Sequence, residues 1–381
     1  MLFDVLTPPR VLFGPGSTYR LGEEVVSLGR RALVITGRRS LAESGHMDRI
    51  TTPLKQAGVE TVWHQVDPEP TVQAVDEVRG LLHSEGCQVV VGVGGGSVLD
   101  VAKAAAGLAG EEEPTAAFFD PLRAPRPGLP WVAVPTTAGS GAEATYNAVL
   151  IDPVQRRKAS IRDGRWLAAV AVVDPILTMS QPPTLTAQTG MDALTHAIES
   201  HTSRWRTPYT SGISREAFRL IVQNFFTAYD SGRQRDAREK MMLGSLMAGM
   251  ALANARAGLV HALAHPVGVR YGLPHGLVCG ILLPYAVHFN MVLLEDTYAA
   301  LAIEAGLTGT AADAGAAAAK LLIYLERLRE RLGLPEKLSA VGLKEADIPA
   351  VIEETMPSQS LAANPRRVTR QDLYALLHDN L

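Results

Sequence analysis

The first half of the chain alternates short apolar runs with segments of helical periodicity. Runs rich in β-branched residues predict strands at residues 31–36, 58–64, 88–93, 131–134 and 169–173. Between them, residues 71–84 repeat apolar positions at helical spacing, and the stretch after Ser97 again favours helix. Buried strands that alternate with helices are typical of a parallel sheet covered on both faces. We therefore predict an α/β, Rossmann-like fold for this half.

The pattern changes near Pro182 and Pro183. Beyond them, residues 236–255 and 313–332 are long runs rich in the helix formers Ala, Leu, Glu and Arg. Two consecutive prolines are typical of a hinge or a domain boundary. We therefore predict an α/β domain over residues 1–179 and an all-helical domain over residues 180–381.

Composition narrows the classes of protein to consider. The net charge is −3, from 39 acidic and 36 basic residues, which gives no electrostatic case for nucleic acid or an anionic membrane as partner. Only two cysteines occur, Cys87 and Cys279, so a disulfide framework does not organise the fold. The N-terminal residues do not resemble a signal peptide, and no uninterrupted apolar run reaches the roughly 18 residues of a membrane span. We expect a soluble, cytoplasmic protein.

A glycine-rich segment follows one predicted strand, with four glycines within residues 92–96. Glycine permits backbone angles that other residues avoid and lets an anion approach the main chain. Ser97 and Asp100 form an S-x-x-D pattern, which predicts a capping box at the start of the next helix. The amides of that helix end would attract a diphosphate. A tight turn without a ligand is the alternative, and the segment alone indicates a phosphate-containing ligand and nothing finer.

A second polar segment, residues 134–145, follows another predicted strand and carries four hydroxyl side chains and two glycines. Open α/β sheets bind ligands at the carboxyl ends of their strands. The segment is therefore a candidate for the same crevice, and an ordinary polar loop is the alternative.

Asp192 and His196 stand at positions i and i+4 of a predicted helix. Residues at this spacing share one face and can chelate one ion. A hydrogen-bonded pair on a helix surface is the alternative interpretation.

Histidines also cluster further along the chain, where His261, His265 and His275 fall within 15 residues. We expect Pro266 to end or kink the helix that carries the first two. A single histidine in so apolar a stretch would more often be a core residue, but the Asp–His pair combined with this cluster favours a metal site. One carboxylate with imidazoles suits Fe²⁺, Zn²⁺ or a similar ion, and the sequence does not choose among them.

Four segments together resemble the iron-containing (group III) alcohol dehydrogenase family. They are GGGSVLDVAK at residues 94–103, PTTAGSGAE at 135–143, GMDALTHAIES at 190–200 and GLVHALAHPVGVRYGLPHG at 258–276. The resemblance implies a dinucleotide-binding N-terminal domain, a helical, metal-binding and catalytic C-terminal domain, and a cleft between them. It also implies hydride transfer between NAD(P)(H) and a small alcohol, aldehyde or ketone.

The resemblance further implies the site residues. The ligands of the metal, expected to be Fe²⁺ with Zn²⁺ or another divalent ion as alternatives, would be Asp192, His196, His261 and His275. His265 would lie beside the metal, near the nicotinamide, as the candidate for proton transfer or for orienting the cofactor. The residues around the cofactor would be Gly94, Gly95, Gly96, Ser97, Asp100, Lys103, Thr136, Thr137 and Ser140.

The turn after the first predicted strand departs from the family pattern. Many NAD-preferring relatives carry an Asp there, on the adenosine ribose hydroxyls, whereas this chain has Gly37, Arg38, Arg39 and Ser40. Without the carboxylate a 2′-phosphate is not repelled, and arginines can pair with it. We therefore favour NADP(H) over NAD(H), with Gly37, Arg38 and Ser40 at the cofactor. A solvated basic turn is the alternative.

Several related activities remain as alternatives. Glycerol-type polyol dehydrogenases use Asp and two histidines and are close neighbours. Metal-free maleylacetate-type reductases lack the full ligand set, dehydroquinate synthase relatives carry Glu in place of the first ligand, and a nucleotide-binding sensor would have a broken set. Asp192 with three histidines argues against these last three. The expected partners are a small alcohol or aldehyde substrate and a second copy in a homodimer, since two-fold symmetry is the commonest.

Overall fold

The structure is a computed structural model that describes residues 2–155 and 157–381. It divides into two compact units, Val5–Gln181 and, together with the residues up to Asp4, Pro182–Leu381. This division lies two residues beyond the boundary that the sequence predicts.

The first unit is built on a six-stranded sheet whose paired strands are all parallel, as predicted. In chain order its strands are β1 (Val11–Phe13), β2 (Arg31–Gly37), β3 (Glu60–Val66), β4 (Val89–Gly94), β5 (Trp131–Pro135) and, after a separate hairpin, β8 (Val170–Val173). The order across the sheet is β1-β8-β5-β4-β2-β3. The hairpin is antiparallel and consists of β6 (Asn147–Asp152) and β7 (Arg157–Arg162).

Five α-helices accompany these strands. They are α1 (Leu21–Val26), α2 (Ser40–Glu43), α3 (Met47–Gln56), α4 (Val72–Ser84) and α5 (Gly96–Gly107). Apolar side chains fill both faces of the sheet. Leu33 and Val90 join the cluster that contains the buried residues of α4 and α5, while Val34 and Val91 join the cluster that contains those of α1 and α3. The predicted α/β fold with helices on both faces is confirmed.

One predicted strand is displaced. Residues 58–64 were expected to be extended, but β3 runs from Glu60 to Val66. Gly58 has φ +71°, a left-handed conformation that belongs to the turn after α3 and cannot continue into a strand. The strand therefore starts two residues later.

The second unit is helical throughout its described elements, as predicted. Its α-helices are α6 (Pro183–Thr202), α7 (Pro208–Asp230), α8 (Arg235–Ala255), α9 (Leu259–Tyr271), α10 (His275–Glu304), α11 (Ala314–Arg331), α12 (Ile348–Thr355), α13 (Gln359–Ala363) and α14 (Arg370–Asp379). Helix α9 continues for five residues beyond Pro266, so this proline does not end the helix, and the expected alternative, a kink, stays a prediction.

Within the part of the chain that the structure describes, α10 is long and apolar enough to cross a membrane by length and composition. Its most apolar window is 61% buried inside the protein, which is the pattern of a core helix. Helices α8 and α9 pass the same test only as a pair bent by 101°. These features are weak evidence for a membrane span.

Candidate metal centre and cofactor site

Three helices of the second unit bring the predicted metal ligands together. Helix α6 carries Asp192 and His196 on one face, α9 carries His261, and α10 begins at His275. The Nε2 atoms of His196, His261 and His275 each lie 3.6 Å from Asp192 Oδ1. Three helices therefore bring the three histidines around the Asp192 carboxylate.

The separation of 3.6 Å is informative about what the cluster can hold. It exceeds the 2.7–3.2 Å that is usual for a hydrogen bond. Two donors that bind one ion at about 2.1 Å in tetrahedral geometry are about 3.4 Å apart. The carboxylate and imidazoles therefore fit a divalent ion better than a set of direct hydrogen bonds.

Charge in the cluster favours a cation. Burial alone would raise the pKa of the Asp192 carboxyl, but His196, His275 and His261 around it hold that pKa well below its usual range. The side chains of Asp192, His196 and His261 are at most 10% exposed, whereas that of His275 is 25% exposed. The site thus presents a buried carboxylate and one partly accessible ligand.

Glu199 fixes the orientation of His261, and sequence reasoning missed it. Its Oε2 lies 2.6 Å from His261 Nδ1. The same carboxylate accepts hydrogen bonds from the amides of Gly258 and Val260 at the start of α9. A proton held on Nδ1 leaves Nε2, which faces Asp192, available to a metal. The sequence did contain a signal for this role, because Glu199 stands three residues after His196 and seven residues after Asp192 on the same helix.

Two further residues adjoin the cluster. The ring of His265 is half-buried, with its centroid 5.3 Å from that of His275 and 6.5 Å from that of His261. The fully buried Cys279 follows His275 by one helical turn, and sequence reasoning gave it no role. Asp192, His261, His275 and Cys279 offer ligand atoms that all lie within 4.8 Å of one another. His196 is outside that mutual group and joins it through Asp192 and by stacking on His261.

In the first unit, the predicted cofactor segments meet at the carboxyl ends of the strands. Gly94 and Pro135 are partners in the β4–β5 register, and the Thr136 amide donates to the Gly94 carbonyl at 3.0 Å. A Cβ at Gly96 would lie 2.7 Å from Ser140 Oγ, and one at Gly95 would lie 3.3 Å from Thr137 Oγ1. The glycine-rich turn and the Thr/Ser segment are therefore direct neighbours.

The reason for the glycines differs from the predicted one. Gly92, Gly94, Gly95 and Gly96 are all described, and none has a positive φ. A Cβ would instead collide with neighbours, lying 2.8 Å from Ala102 Cβ at Gly92 and 2.6 Å from Val98 Cβ at Gly94. Close packing of the turn, not unusual backbone angles, requires these glycines.

The predicted capping box at Ser97 is wrong. Helix α5 starts at Gly96, its N-cap is Gly95, and no side chain caps it. Asp100 instead accepts from the Val149 amide at 3.0 Å. Because no described side chain caps this helix end, its amides remain suited to an anionic ligand, which is the fit that a diphosphate needs.

Lys103 is placed differently from the other predicted cofactor residues. Its side chain is fully buried, and Nζ donates to Thr145 Oγ1 at 2.8 Å and to the Asn147 carbonyl at 2.7 Å. Asp100 completes this arrangement at 3.3 Å. Both residues hold the β6–β7 hairpin against α5, which favours a structural role. Their contact with a cofactor stays a prediction.

The turn after β2 lies beside the same helix end. A Cβ at Gly37 would meet Ser40 Oγ at 3.2 Å and Val98 Cγ2 at 3.8 Å. Arg38 forms a bidentate ion pair with Asp67. Its Nε donates to Asp67 Oδ1, and its Nη2 donates to Asp67 Oδ2 at 3.1 Å. Both residues line a cavity of about 610 Å³. Asp67, which follows β3, therefore places a carboxylate against the Arg38 side chain.

Comparison with known proteins identifies the family. Residues 8–175 match the family described as iron-containing alcohol dehydrogenase, and residues 186–381 match the C-terminal part of the Fe-containing alcohol dehydrogenase family. The class is thus a metal-dependent oxidoreductase that transfers hydride between a nicotinamide cofactor and an alcohol or its carbonyl counterpart. The chain belongs to the iron-containing alcohol dehydrogenase family.

Similarity to individual relatives extends over the whole chain. The sequence is 36% identical to 1,3-propanediol dehydrogenase of Klebsiella pneumoniae, with 98% of each chain covered. It is 32% identical to lactaldehyde reductase of Escherichia coli K12, with 96% of each covered. The crystal structure of a 1,3-propanediol oxidoreductase superposes with a TM-score of 0.93 at 34% identity and covers all of both chains.

Proposed function

We propose that the chain reduces small aldehydes or ketones, and oxidises the corresponding alcohols, at a divalent metal held by Asp192, His196, His261 and His275. The observation that carries this proposal is the common 3.6 Å distance from Asp192 Oδ1 to three imidazole nitrogens. Fe²⁺ is the ion we favour, in line with the family, and Zn²⁺ is the alternative.

When bound, the metal acts as a Lewis acid that lowers the pKa of the substrate alcohol or polarises the carbonyl. The protein's own residues prepare the site. Glu199 holds the proton of His261 on Nδ1, and the apolar helices around Asp192 exclude water from the carboxylate. His265 is our candidate for carrying a proton on its imidazole ring beside the cluster, since its ring lies next to that of His275.

We assign the cofactor diphosphate to the start of α5. The amides at Gly95, Gly96 and Ser97 are half-buried and lack a side-chain cap, so they can donate to phosphate oxygens. Thr136, Thr137 and Ser140 are half-buried next to them and supply hydroxyl donors.

The Arg38–Asp67 ion pair changes the expected cofactor. A 2′-phosphate would have to displace Asp67 from Arg38 and would be repelled by the Asp67 carboxylate. We therefore propose NAD(H) as the preferred cofactor, in place of the NADP(H) that the sequence favours. We expect the D67N variant to gain activity with NADPH relative to NADH. A wild-type protein that works faster with NADPH would contradict this assignment.

The substrate class follows the relatives. Relatives named for 1,3-propanediol and lactaldehyde act on short carbon chains with a second oxygen, and we propose short diols and hydroxyaldehydes as the first substrates to try. This keeps the polyol dehydrogenase alternative within the same chemistry. We further propose a cytoplasmic location. We also propose a homodimer, and sedimentation would test this oligomeric state.

The experiment compares nicotinamide-linked turnover of chelator-stripped protein before and after addition of Fe²⁺ or Zn²⁺. Wild-type protein, D192N and the control D236N are measured with NADH and NADPH in parallel. Asp236 is exposed and makes only a distant ion pair with Lys240, so D236N should behave as wild type. We expect D192N to lose on the order of 100-fold in turnover. Full turnover without metal would contradict the proposal and favour a metal-free reductase of the maleylacetate type.

A further inference from the structure

Cys279 lies inside the candidate metal centre, not merely near it. It follows His275 by four residues on α10, so both side chains point to the same face of that helix. Its Sγ is 3.6 Å from His275 Nε2 and 3.9 Å from Asp192 Oδ1. The thiol is fully buried, so its position is determined by the packing of α10 and not by solvent.

The spacing of these donors fits coordination of one ion. A zinc-like ion binds sulfur at about 2.3 Å and nitrogen at about 2.1 Å, so two such ligands are about 3.1–3.8 Å apart for angles of about 90–120° at the ion. The Sγ–Nε2 distance to His275 lies in this range. Asp192, His261, His275 and Cys279 form the set of donors that are all within 4.8 Å of one another.

A second observation points to a ligand at the same place. His261 is 5% exposed, and its Nε2 is a buried nitrogen without a hydrogen-bond partner among the described residues. Burying an unsatisfied polar atom is costly, so this nitrogen is expected to have a partner in the functional protein. It belongs to the same mutual group as Cys279 Sγ, and an ion held by that group would give this nitrogen a partner.

We propose that Cys279 is a metal ligand of this chain, and that its thiolate makes the centre select thiophilic ions such as Zn²⁺ and Co²⁺ over Mn²⁺. The inference rests on the proposed function only in requiring an ion at this cluster. Coordination forms one sulfur–metal bond and releases the thiol proton to solvent, with no change in oxidation state. Thiolate donors favour soft and borderline ions, whereas carboxylates and water suit Mn²⁺. Asp192 and the thiolate together also neutralise the two positive charges of the ion.

The test uses Co²⁺ as a spectroscopic probe of the ligand atoms. Stripped wild-type protein, C279S and the control C87S are titrated with Co²⁺ and followed by absorbance. Cys87 is the other cysteine; it is buried in the first unit, so C87S should match wild type. We expect a near-ultraviolet sulfur-to-cobalt charge-transfer band in wild type and C87S that is absent in C279S. The weaker visible bands of bound cobalt should persist in all three.

Affinity supplies a second readout. Losing a residue that only supports a metal ligand weakens metal binding by roughly ten-fold or more. In C279S, which would lose a ligand itself, the dissociation constant for Zn²⁺ should therefore rise by at least that factor. The dissociation constant for Mn²⁺ should change far less. X-ray absorption of Zn²⁺-loaded wild-type protein needs no variant and should show one sulfur at about 2.3 Å.

The outcomes separate this inference from the proposed function. Visible cobalt bands without a charge-transfer band, or a zinc shell without sulfur, would overturn the role of Cys279 and leave the Asp–His centre standing. Failure of wild-type protein to bind Co²⁺ or Zn²⁺ at all would overturn both proposals.

Discussion

At the residue scale, Glu199 decides which nitrogen of His261 faces Asp192. Its carboxylate binds His261 Nδ1 and two amides at the start of α9, so one side chain fixes both an imidazole and the helix that carries it. Burial would lower the pKa of His261, but Glu199 and Asp192 raise it to about 9. A predicted metal ligand is held here by a charged partner that would not itself touch the metal.

We predict that E199Q weakens Zn²⁺ binding by roughly 10- to 100-fold, because loss of the carboxylate loosens the tautomer and orientation of His261. Competition with a chelating dye measures the affinity for Zn²⁺. Unfolding of the metal-stripped protein measures, separately, how much stability is lost with the Glu199 contacts to α9. The matched control is E353Q, since Glu353 pairs with Arg370 on the surface. Unchanged affinity in folded E199Q would show that Glu199 serves α9 alone.

A second carboxyl gives the protein a pH-dependent stability. Glu143 is 2% exposed, and burial raises its pKa to about 7 from an ordinary 4.5. A raised pKa means that folding favours the protonated form. The stabilisation is complete below the unfolded pKa and is lost as the pH rises through the folded one.

We therefore predict that the unfolding free energy of wild type, relative to E143Q, falls by on the order of 3 kcal/mol as the pH rises from 4.5 to beyond 7. The glutamine of this variant keeps the shape of the glutamate side chain without its titration. Urea unfolding of both proteins at several pH values measures the difference. Parallel pH profiles would show that Glu143 does not titrate in this range.

Residue identities were predictable only where spacing along one helix reveals them. Asp192 and His196 share a face of α6, and their role could be inferred from four-residue spacing. Glu199 acts through contacts with α9, which no single helical pattern contains. Cys279 stands four residues after His275 on α10, so its spacing was visible, but sequence reasoning gave it no role. The resemblance to a family supplied His261 and His275 as ligands, because a run of histidines alone does not say which ones converge.

At the element scale, the close approach of α10 to α6 builds the centre. Gly276 lies one residue after His275, and a Cβ there would overlap the backbone carbonyl of Gln188 in α6. A larger residue would therefore push the start of α10 away from α6. The close approach that places His275, a predicted ligand at the start of α10, thus depends on the absence of a side chain at Gly276.

We predict that G276A destabilises the protein by about 1–3 kcal/mol or more and weakens metal binding. The added Cβ would overlap the backbone of Gln188, which cannot move aside as a side chain can. The control is G212A in α7, where an added Cβ has no neighbour within 4 Å. That substitution should be neutral or stabilising by about 0.5–1 kcal/mol, since alanine favours helix. Urea midpoints and Zn²⁺ titration give both readouts, and wild-type metal affinity in G276A would contradict the account.

Element prediction succeeded where burial on both faces leaves continuous apolar runs, as in β2 and β4. It failed where local pattern competes with tertiary context. The hairpin of β6 and β7 was not predicted, because its position depends on contacts with Asp100 and Lys103 of α5. Ser97 looked like a cap because sequence alone does not show that α5 begins one residue earlier, at Gly96.

At the scale of the whole molecule, each unit contains one of the two sites that the chemistry needs. Val5–Gln181 contains the uncapped start of α5, and Pro182–Leu381 contains the Asp–His cluster. In the sequence, the periodicity changes near Pro182, close to the division between the two units. The substrate could not be predicted from the sequence, because its pocket depends on side chains that tertiary structure assembles.

The proposed function requires one divalent ion at Asp192 for turnover. Stripped protein is titrated with Fe²⁺ under anaerobic conditions, and the rate of NADH oxidation with a short aldehyde is measured after each addition. We predict that the rate rises in proportion to added metal and levels off at one ion per chain. Full turnover before any metal is added would contradict it.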